Sequence, residues 1–555
     1  MLLSVNVTEK SFGSNVLYKD VHFDIQDGEK IGLVGRNGTG KSTLLNILTG
    51  EDKDYQGEIT VKRGTIISTS RQEHHGHEAK TVLEYIQGDL PEYRRLTHII
   101  DTYPETMGSD THKIQQFSDA LTRFGELGYY QIEDDLKQAF DTYQIDPATL
   151  HRTLGSLSGG QKRMVELIKV QRSRGHVALI DEPTNHMDYV AKTAFIKWLN
   201  ATPEAVLVIT HDRDVLHNVD RIIEIRDGKS YTFRGNYDAY LKINTSQVTS
   251  QVNEYDISQR RIDNLQNDII RFRRLKEKAH NPGTVKRFKS QEQKAMTEMN
   301  TLSAQEKPSF WIDQESVTDL NSKLTTAYGK YKAKNIQVRV ADKGAELDGT
   351  LLIKADAVSL GYDGKPLFAD LSFGLHEGER LRLHGRNGTG KTTLVQAIVS
   401  QAFGVPLTSQ CFSGTIHVEK DTRIGLYEQE INPSYLPLTL NGALEQILRD
   451  KNLPINMQRI KQLLSDYLFN PAVDGDMQVE RLSGGQKARL QLIAMLANDP
   501  QILILDEPTN HLDLPSIEEL ENALIAYRGA IIYISHDSFF TNKLGGATLT
   551  IEPAV

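Results

Sequence analysis

Three features are missing from this 555-residue sequence, and each absence excludes a class of protein. A single cysteine, Cys411, excludes an intramolecular disulfide and a zinc site built from cysteines. No run approaches the roughly 18 consecutive apolar residues of a membrane-spanning helix, so we expect none. The first residues lack a basic segment followed by an apolar core, so we expect no signal peptide and a cytoplasmic protein.

An excess of positive charge is also missing, because the formal net charge at pH 7 is −9. The chain as a whole therefore does not attract nucleic acid, and any such surface must be local. We expect neither DNA nor a membrane as a partner. The hydrophobic and charged fractions, 39% and 25%, are ordinary for a globular protein, and the length predicts two or more domains.

One twelve-residue stretch occurs twice, at residues 177–188 and 502–513, and the copies begin 325 positions apart. In each copy a short apolar run, typical of a buried strand, ends in two carboxylates, Asp181-Glu182 and Asp506-Glu507. Ligands of open α/β sheets bind at the carboxyl ends of strands. One carboxylate of such a pair is suited to hold Mg²⁺ and the next to activate a water. The two copies indicate an internal repeat.

A glycine-rich loop of the pattern GxxxxGK[ST] also occurs in each half, between an apolar strand and a helix start. Glycines allow backbone N–H groups to surround phosphate oxygens, and a helix N-terminus adds positive potential. The lysine is suited to reach the β- and γ-phosphates, and the hydroxyl after it to bind Mg²⁺. The predicted nucleotide-binding residues of these loops are Gly35, Asn37, Gly38, Gly40, Lys41, Ser42 and Thr43, and Gly385, Asn387, Gly388, Gly390, Lys391, Thr392 and Thr393.

Three shorter motifs follow each loop in the same order: a Gln-Glu pair, a Leu-Ser-Gly-Gly-Gln sequence that opens a predicted helix, and a His-Asp pair after an apolar strand. The serine lies 23 residues before the first carboxylate of the acidic pair in both halves, and the histidine lies 30 residues after it. Such equal spacing favours a functional interpretation over an isolated helix cap or a structural histidine. The residues are Gln72, Ser158, Gly159, Gly160, Gln161 and His211, and Gln429, Ser483, Gly484, Gly485, Gln486 and His536.

In these motifs and in their order, both halves resemble the ATP-binding cassette family. Two cassettes in one chain, the repeated Glu-Pro-Thr-Asn-His tail and a charged linker resemble its ABC-F subfamily, whose members are soluble ATPases that act on the translating ribosome. Some members displace ribosome-targeting antibiotics. The resemblance implies an α/β fold with two P-loop cassette domains joined by a long charged α-helical hairpin. It also implies ATP and Mg²⁺ as cofactors and the ribosome as the partner.

The resemblance further implies two composite ATP sites, each combining the phosphate loop of one cassette with the Ser-Gly-Gly signature of the other. Site one would contain Lys41, Ser42 and Asp181 with Ser483 and Gly485, and site two would contain Lys391, Thr392 and Asp506 with Ser158 and Gly160. The expected Mg²⁺ ligands are Ser42, Gln72 and Asp181 in one site and Thr392, Gln429 and Asp506 in the other.

The remaining roles follow from the same resemblance. Glu182 and Glu507 are expected to orient and deprotonate the attacking water, and His211 and His536 to contact the γ-phosphate. Gln72 and Gln429, already expected to bind Mg²⁺, are also expected to assist catalysis. Phe12 and Tyr362 each lie 29 residues before the loop lysine and resemble the aromatic residue that stacks on adenine, with core packing as the alternative.

The repeat is unequal, because 86 residues separate the Gln from the signature Ser in the first half and 54 in the second. We predict that the extra residues lie within 91–135, either as an arm of the kind found in ABC-F proteins or as an enlarged helical subdomain without a partner. The predicted domains are a first cassette at 1–243, a hairpin linker and connector at 244–345, and a second cassette at 346–555.

The linker is the local basic segment of this acidic chain. Residues 246–279 and 285–305 are predicted helices, with a turn at Asn281-Pro282-Gly283. Eleven basic and five acidic residues lie between 260 and 300. The basic residues cluster around the turn, which favours RNA-phosphate contact over a solvated face. The predicted RNA-binding residues are Arg273, Arg274, Lys286, Arg287 and Lys289.

Other functions compete with a ribosome-associated ATPase. The main alternative is the ATPase subunit of a membrane transporter, which does not need a long charged hairpin between its cassettes. A DNA-repair ATPase of the cassette type carries zinc-binding cysteines, which the single cysteine excludes. The histidines at 74, 75 and 77 suggest a metal site, but the absence of a nearby cysteine or aspartate favours a solvated loop.

Overall fold

The computed structural model describes residues 1–554 except 14, 72, 73, 75, 186, 304–335, 337–348, 429 and 430, and only the backbone of 15, 245, 248, 249 and 251–253. The chain divides into two units, Met1–Tyr237 with Ile336–Val555, and Asp238–Asn335. The connector predicted after the hairpin lies mostly outside the described residues. None of the described helices combines the length and the apolar composition needed to cross a lipid bilayer.

The first half is built on a six-stranded sheet, whose inner strands are short and fully buried. All neighbours in this sheet are parallel except one edge pair, so the inner strands are apolar throughout rather than alternating. In spatial order the strands are β10 (Lys229–Arg234), β9 (Arg221–Arg226), β4 (Lys30–Gly35), β8 (Ala205–Ile209), β7 (Val177–Asp181) and β6 (Ile67–Thr69).

A smaller antiparallel sheet covers the first phosphate loop and its helix. Its strands are β1 (Leu3–Phe12), β2 (Asn15–Tyr18), β3 (Val21–Ile25) and β5 (Gln56–Val61). Strand β1 alternates between buried and exposed residues over Leu3–Val7, because one face packs on the core and the other meets solvent. Its buried face joins one apolar cluster with the inner strands β4, β7 and β8.

The second half repeats this arrangement. A parallel five-stranded sheet runs in the order β15 (Ile424–Tyr427), β16 (Ile502–Asp506), β17 (Ala530–Ile534), β13 (Arg380–His384) and β18 (Ala547–Thr550). An antiparallel sheet contains β12 (Lys365–His376), β11 (Leu351–Tyr362) and β14 (Gln410–Val418). The predicted α/β class with two similar halves is therefore confirmed.

Helices connect the strands, and most begin at a capping Ser, Thr, Asp or Asn whose side chain accepts a backbone N–H. In the first half they are α1 (Lys41–Leu48), α2 (Val82–Asp89), α3 (Tyr93–Thr106), α4 (Thr111–Glu126), α5 (Ile132–Thr142), α6 (Gly159–Ser173), α7 (Tyr189–Ala201) and α8 (Arg213–Leu216). The linker contributes α9 (Tyr237–Lys278) and α10 (Pro282–Ser303). In the second half they are α11 (Lys391–Phe403), α12 (Leu440–Asp450), α13 (Met457–Asp466), α14 (Gly484–Leu496), α15 (Leu514–Ala526) and α16 (Ser538–Leu544).

The extra residues predicted at 91–135 contain the helix pair α3 and α4. Asp110 caps α4 by accepting the N–H groups of His112 and Lys113 at 3.0 and 3.3 Å. At the other end of the pair, the rings of Tyr93, Phe124 and Tyr129 lie 5.2–5.7 Å apart. Few side chains of the pair are fully buried, Leu96 and Ala120 among them, so most of its surface meets solvent.

The linker unit is a helical hairpin, as predicted, but its helices are shifted from the predicted ranges. Helix α9 has 42 residues, which corresponds to about 63 Å at 1.5 Å per residue, and it begins at Tyr237 rather than near residue 246. Pro282 is the first residue of α10 rather than part of the turn. A proline tolerates the first helical position, because its missing N–H has no partner within the helix there.

The hairpin is held by a small apolar seam and by ion pairs. Leu265, Ile269 and Ala295 are buried between the two helices. Glu292 of α10 accepts Arg273 Nε at 2.8 Å and Lys276 Nζ at 2.6 Å from α9. Arg273 and Lys276, two members of the basic cluster, therefore neutralise an acidic side chain of the hairpin itself.

Candidate active sites

Each phosphate loop turns from a strand into a helix through a left-handed glycine. Gly40 has φ 91°, and a Cβ there would collide with the side chains of Leu17 and Tyr18. Gly390 has φ 97°, and a Cβ there would lie 2.8 Å from Phe368 Cδ1. A side chain would be strained and blocked at both positions. The glycines thus leave the first N–H groups of α1 and α11 directed at the loop, as phosphate binding requires.

The loop lysines are buried and fold back over their own loops. Lys41 Nζ donates to the carbonyls of Gly35 and Arg36 at 2.7 and 3.1 Å. Lys391 makes the equivalent bonds at 2.8 and 2.7 Å. Burial lowers the pKa of both ammonium groups, since little water reaches them. Each cation is thus held inside the loop, where an anionic ligand would be attracted to it.

The first carboxylate of each acidic pair ends a buried strand beside the phosphate loop. Asp506 Oδ2 accepts the Thr392 hydroxyl at 2.8 Å, which brings together two of the predicted Mg²⁺ ligands. Burial raises the pKa of Asp506, so a nearby cation would stabilise its charged form. The described residues contain no cluster of three or more His, Cys, Asp or Glu that could hold a metal ion alone. Mg²⁺ commonly binds one or two carboxylates together with phosphate oxygens, and this donor set fits that habit.

The second carboxylate of each pair has an unusual backbone. Glu182 and Glu507 have φ 45° and 50°, a left-handed conformation that is rare for glutamate. It redirects the chain at the strand end. Their backbone N–H groups donate to Ile209 and Ile534 at 2.9 and 3.0 Å. Burial and the adjacent aspartate raise the pKa of each glutamate to about 8. A carboxylate with this pKa is a far stronger base than an exposed one.

The two predicted histidines lie against these glutamates. His211 Nε2 is 3.7 Å from Glu182 Oε1, and His536 Nε2 is 3.5 Å from Glu507 Oε1. Burial, together with the nearby loop lysine, lowers the pKa of each imidazole to about 3, so both are neutral near pH 7. No ring nitrogen of either histidine has a hydrogen-bond partner within the described residues. Buried unsatisfied polar atoms fit an external ligand at this position.

The signature sequences form helix N-termini. Ser158 and Ser483 accept the N–H groups of Gln161 and Gln486, and these glutamines cap the serine N–H in return. The second signature also lies against the opposite phosphate loop. The approach is so close that a Cβ at Gly485 would collide with the side-chain amide of Asn37. The glycine therefore permits close approach of the second cassette's signature to the first cassette's loop.

Two aspartates each accept a backbone N–H of the opposite cassette's phosphate loop across the same interface. Asn37 N donates to Asp513 Oδ2 at 3.2 Å, and Asn387 N donates to Asp188 Oδ2 at 3.2 Å. Each aspartate also caps its own helix, α15 or α7. Sequence reasoning assigned no role to either residue, although both end the repeated twelve-residue stretch. Each phosphate loop is thus fixed partly by the opposite cassette.

A cavity of about 300 Å³ lies between the cassettes. Its wall contains residues of the first loop, the glutamate of each acidic pair, both histidines and the second signature, including Asn37, Ser42, Glu182, His211, Ser483, Gly485, Glu507 and His536. The structure therefore brings together residues that the sequence separates by several hundred positions.

The predicted adenine-stacking aromatics are on the surface. Phe12 is 56% exposed and Tyr362 is 41% exposed, so the core-packing alternative is wrong. Lys10 Nζ lies 4.7 Å from the centre of the Phe12 ring. Gln72 and Gln429 lie outside the described residues, so their predicted roles stay predictions.

Within the loop that follows Gln72, which was predicted to be solvated, the His74 side chain is buried, whereas Gly76, Glu78 and Ala79 are exposed. His74 Nε2 lies 2.9 Å from Glu166 Oε1, and both side chains are buried. Glu166 also accepts the N–H of Arg71 at 2.8 Å and the ammonium of Lys169 at 2.8 Å, together with the hydroxyl of Tyr85. Although burial opposes it, these partners lower the pKa of Glu166 to about 2. A buried carboxylate thus ties this loop to α6, which no local sequence pattern predicts.

Comparison with known proteins adds family information. Two family models, both described as ABC transporter, match residues 18–185 with 368–510, and residues 223–313. The chain is similar to the ATP-binding protein YdiF of Bacillus subtilis strain 168, with 30% identity over all of this chain and 80% of the relative. It is also similar to the energy-dependent translational throttle protein EttA of Mycobacterium tuberculosis H37Rv, with 28% identity over 98% of this chain and 90% of the relative.

Two solved structures resemble the fold. The archaeal ribosome recycling factor aABCE1, solved with the archaeal ribosomal stalk protein aP1, has a TM-score of 0.54 and 18% identity over 98% of this chain and 86% of its own. The model of ribosome-bound archaeal Pelota and ABCE1 has a TM-score of 0.55 and 17% identity over 98% and 76%. At this identity the similarity describes the fold alone.

The Glu166 cluster predicts a stability effect. Replacing Glu166 by Gln should lower the free energy of unfolding by about 3 kcal/mol, because it breaks a buried ion pair. The loss should not be larger, because Asp89 still faces Lys169 at 3.1 Å and keeps the ammonium paired. The depressed pKa stabilises the fold above the unfolded value of about 4.3, and this contribution is lost as pH falls towards 2, so the variant should depend less on pH in that range. Guanidinium unfolding with hydrogen exchange at α6 measures both effects.

The matched control is Gln491→Ala at the equivalent position of the second cassette, where Nε2 donates a single bond to the Glu428 carbonyl at 2.9 Å. Loss of one such bond should cost about 1 kcal/mol. Equal losses in the two variants, with unchanged pH dependence, would show that the cluster adds no more than an ordinary hydrogen bond.

Proposed function

Because the chain belongs to the ATP-binding cassette family as an ATPase of the ABC-F type, we propose that it hydrolyses two ATP molecules at composite sites between its cassettes and uses their closure to act on the ribosome. The observation that carries the proposal is a pair of hydrogen bonds across the cassette interface. The backbone N–H groups of Asn37 and Asn387, one in each phosphate loop, each donate to an aspartate of the opposite cassette. We keep the division into cassettes at 1–243 and 346–555 with a hairpin linker between them as part of this proposal.

Each site combines groups from both cassettes. In site one, Lys41 and the N-terminus of α1 hold the phosphates, and Ser483 with Gly485 complete the site from across the interface. The short approach between Asn37 and Gly485 supports this pairing. In site two, Lys391 and the N-terminus of α11 take the same part, with Ser158 and Gly160 opposite. The exposed Phe12 and Tyr362 rings are available to stack on adenine.

Ser42 with Asp181, and Thr392 with Asp506, are the residues that would hold Mg²⁺, with Gln72 and Gln429 added from the sequence. The Thr392–Asp506 hydrogen bond supports the assignment in site two. A bound Mg²⁺ neutralises charge on the phosphates. The protein's own contribution is to fix these oxygen donors at the edge of the sheet.

Glu182 and Glu507 act as the bases that orient and deprotonate water. Burial and the adjacent aspartate raise their pKa, so each carboxylate, once ionised, has a high affinity for the proton of the attacking water. The neutral imidazoles of His211 and His536 have unsatisfied nitrogens beside these carboxylates, so they can donate to the γ-phosphate without adding charge. The proton of the water goes to the glutamate, and phosphate is released with ADP.

The ribosome is the proposed partner. A relative that spans almost the whole chain is named a translational throttle protein, which supports a role in translation. Protection of the ribosome from antibiotics stays the alternative that the resemblance to ABC-F proteins implies. A ribosomal partner places the protein in the cytoplasm. We propose that ribosomal RNA is contacted by the hairpin, where Arg273, Arg274, Lys286, Arg287 and Lys289 are all exposed. Arg273 shares its charge with Glu292, so the other four carry most of the contact.

Sedimentation tests the proposed function directly. With non-hydrolysable ATP the protein should migrate with ribosomes in a sucrose gradient, because nucleotide keeps the cassettes closed. Without nucleotide it should stay at the top. Recovery with membranes instead of ribosomes would favour the transporter alternative.

Substitution of both proposed bases should separate binding from turnover. Glu182→Gln with Glu507→Gln keeps size and shape but removes the base, so ATP should stay bound while turnover falls at least about a hundredfold. Filter binding and phosphate release measure the two properties. Glu204→Gln is the matched control, because burial also raises the pKa of Glu204, to about 7, away from the cavity. Hydrolysis that stays fast in the double variant would exclude these glutamates as the bases.

Removal of the basic tip, by which we mean the five basic residues named above, should weaken ribosome binding in a salt-dependent way. Replacing these five residues by Ala should reduce the slope of log affinity against log salt by about three to four, because fewer counterions are released. The control replaces five exposed cassette lysines, Lys19, Lys53, Lys62, Lys229 and Lys420. Ribosome-free ATPase activity should change in neither variant. Identical slopes for wild type and the tip variant would mean that the tip is a solvated face.

A further inference from the structure

Lys192 is a buried cation that none of the nucleotide-binding motifs contains. It lies in the second turn of α7, four residues after Asp188, and lines the cavity between the cassettes. Its ammonium pairs with Asp212 at 2.9 Å and also with Asp214, both in the segment that follows His211. Although burial opposes it, these two carboxylates raise the pKa of Lys192, so the side chain stays charged.

The third contact of Lys192 crosses to the other cassette. Nζ donates to the backbone carbonyl of His536 at 3.2 Å. Close by, Ser538 donates its hydroxyl to Asp214, so the first cassette holds the segment containing His536 through two polar contacts. His536 is the residue proposed to donate to the γ-phosphate in site two. A cation from α7 therefore acts on the backbone of that residue.

The equivalent position of the second cassette cannot do this. Ile517 lies four residues after Asp513 in the second turn of α15 and also lines the cavity. Its side chain has no N–H to donate to the segment containing His211. The segment also differs, since Ser538 and Phe539 stand where the first cassette has Arg213 and Asp214. The duplicated motifs thus hide a difference between the two sites.

Resting on the proposed function, we propose that Lys192 is a positioning residue of site two, which fixes His536 from the opposite cassette and makes the two ATP sites inequivalent. Lys192 does not touch the phosphate loop of site two; it acts through the His536 carbonyl. A histidine held on one side only is displaced more easily, and small displacements of a group that contacts the transition state slow the reaction while leaving substrate binding intact. Site one works without this contact.

Site-selective kinetics test the inference. E182Q leaves turnover to site two, and E507Q leaves it to site one. K192M should lower kcat at least tenfold more in the E182Q background than in the E507Q background, with KM for ATP changed less than twofold. K192R, which keeps the charge and the donors, should restore most of the lost turnover. I517M is the matched control, because it places the same side chain, Met, at the equivalent position of α15, where no donor is lost.

A second variant separates positioning from folding. K192M with D212N removes the cation together with the carboxylate that does not bond Ser538, so the net charge of the buried cluster and the Ser538–Asp214 contact are both preserved. It should show the same selective loss of kcat with an unchanged denaturation midpoint. Equal losses in the two backgrounds, or no loss in the E182Q background, would overturn the inference. Failure of the proposed function is distinguishable, since fast hydrolysis by E182Q with E507Q combined would remove the site assignment regardless of Lys192.

Discussion

The structure depends on a backbone that must turn from a strand into a helix while its N–H groups stay free for an anion. This turn needs left-handed glycines at Gly40 and Gly390, because a side chain at either position would collide with the antiparallel sheet. One amide of each loop is satisfied by an aspartate of the opposite cassette. One backbone amide of each loop is therefore satisfied only when the two cassettes meet, and the proposed function relies on this contact to couple nucleotide binding to their association.

The sequence predicted the sheet class, the two loops and the acidic pairs, because these depend on local patterns. Strands such as β7 and β16 consist of buried apolar residues ending in carboxylates, and the loops require glycine wherever the chain turns. The cross-cassette bonds of Asp188 and Asp513 could not be predicted, since hydrogen bonding between residues hundreds of positions apart depends on tertiary packing. The start of α9 was missed because residues 237–243 are rich in aromatic and apolar residues, like the strand before them, whereas the predicted helix was recognised by its polar composition.

The two halves share their motifs but differ in the residues that lie between the motifs. Arg163, Glu166 and Lys192 bond to the backbone of the acidic pair, to the loop after β6 and to His536, whereas Ala488, Gln491 and Ile517 occupy the equivalent positions. Motif comparison alone suggests two equal sites. The charged residues of the first cassette instead give its helices α6 and α7 contacts that the equivalent helices of the second cassette lack, and the Lys192 bond crosses to the other cassette.

The central claim is that ATP holds the two cassettes together at this interface. His217 and Phe539 stack across it with ring centres 5.1 Å apart, and neither lines the cavity. With Cys411 replaced by serine, cysteines at positions 217 and 539 should cross-link in the variant that carries Glu182→Gln and Glu507→Gln when Mg²⁺ and ATP are present, and the cross-link should be lost with EDTA. Cross-linking that is equally efficient without nucleotide would contradict the account.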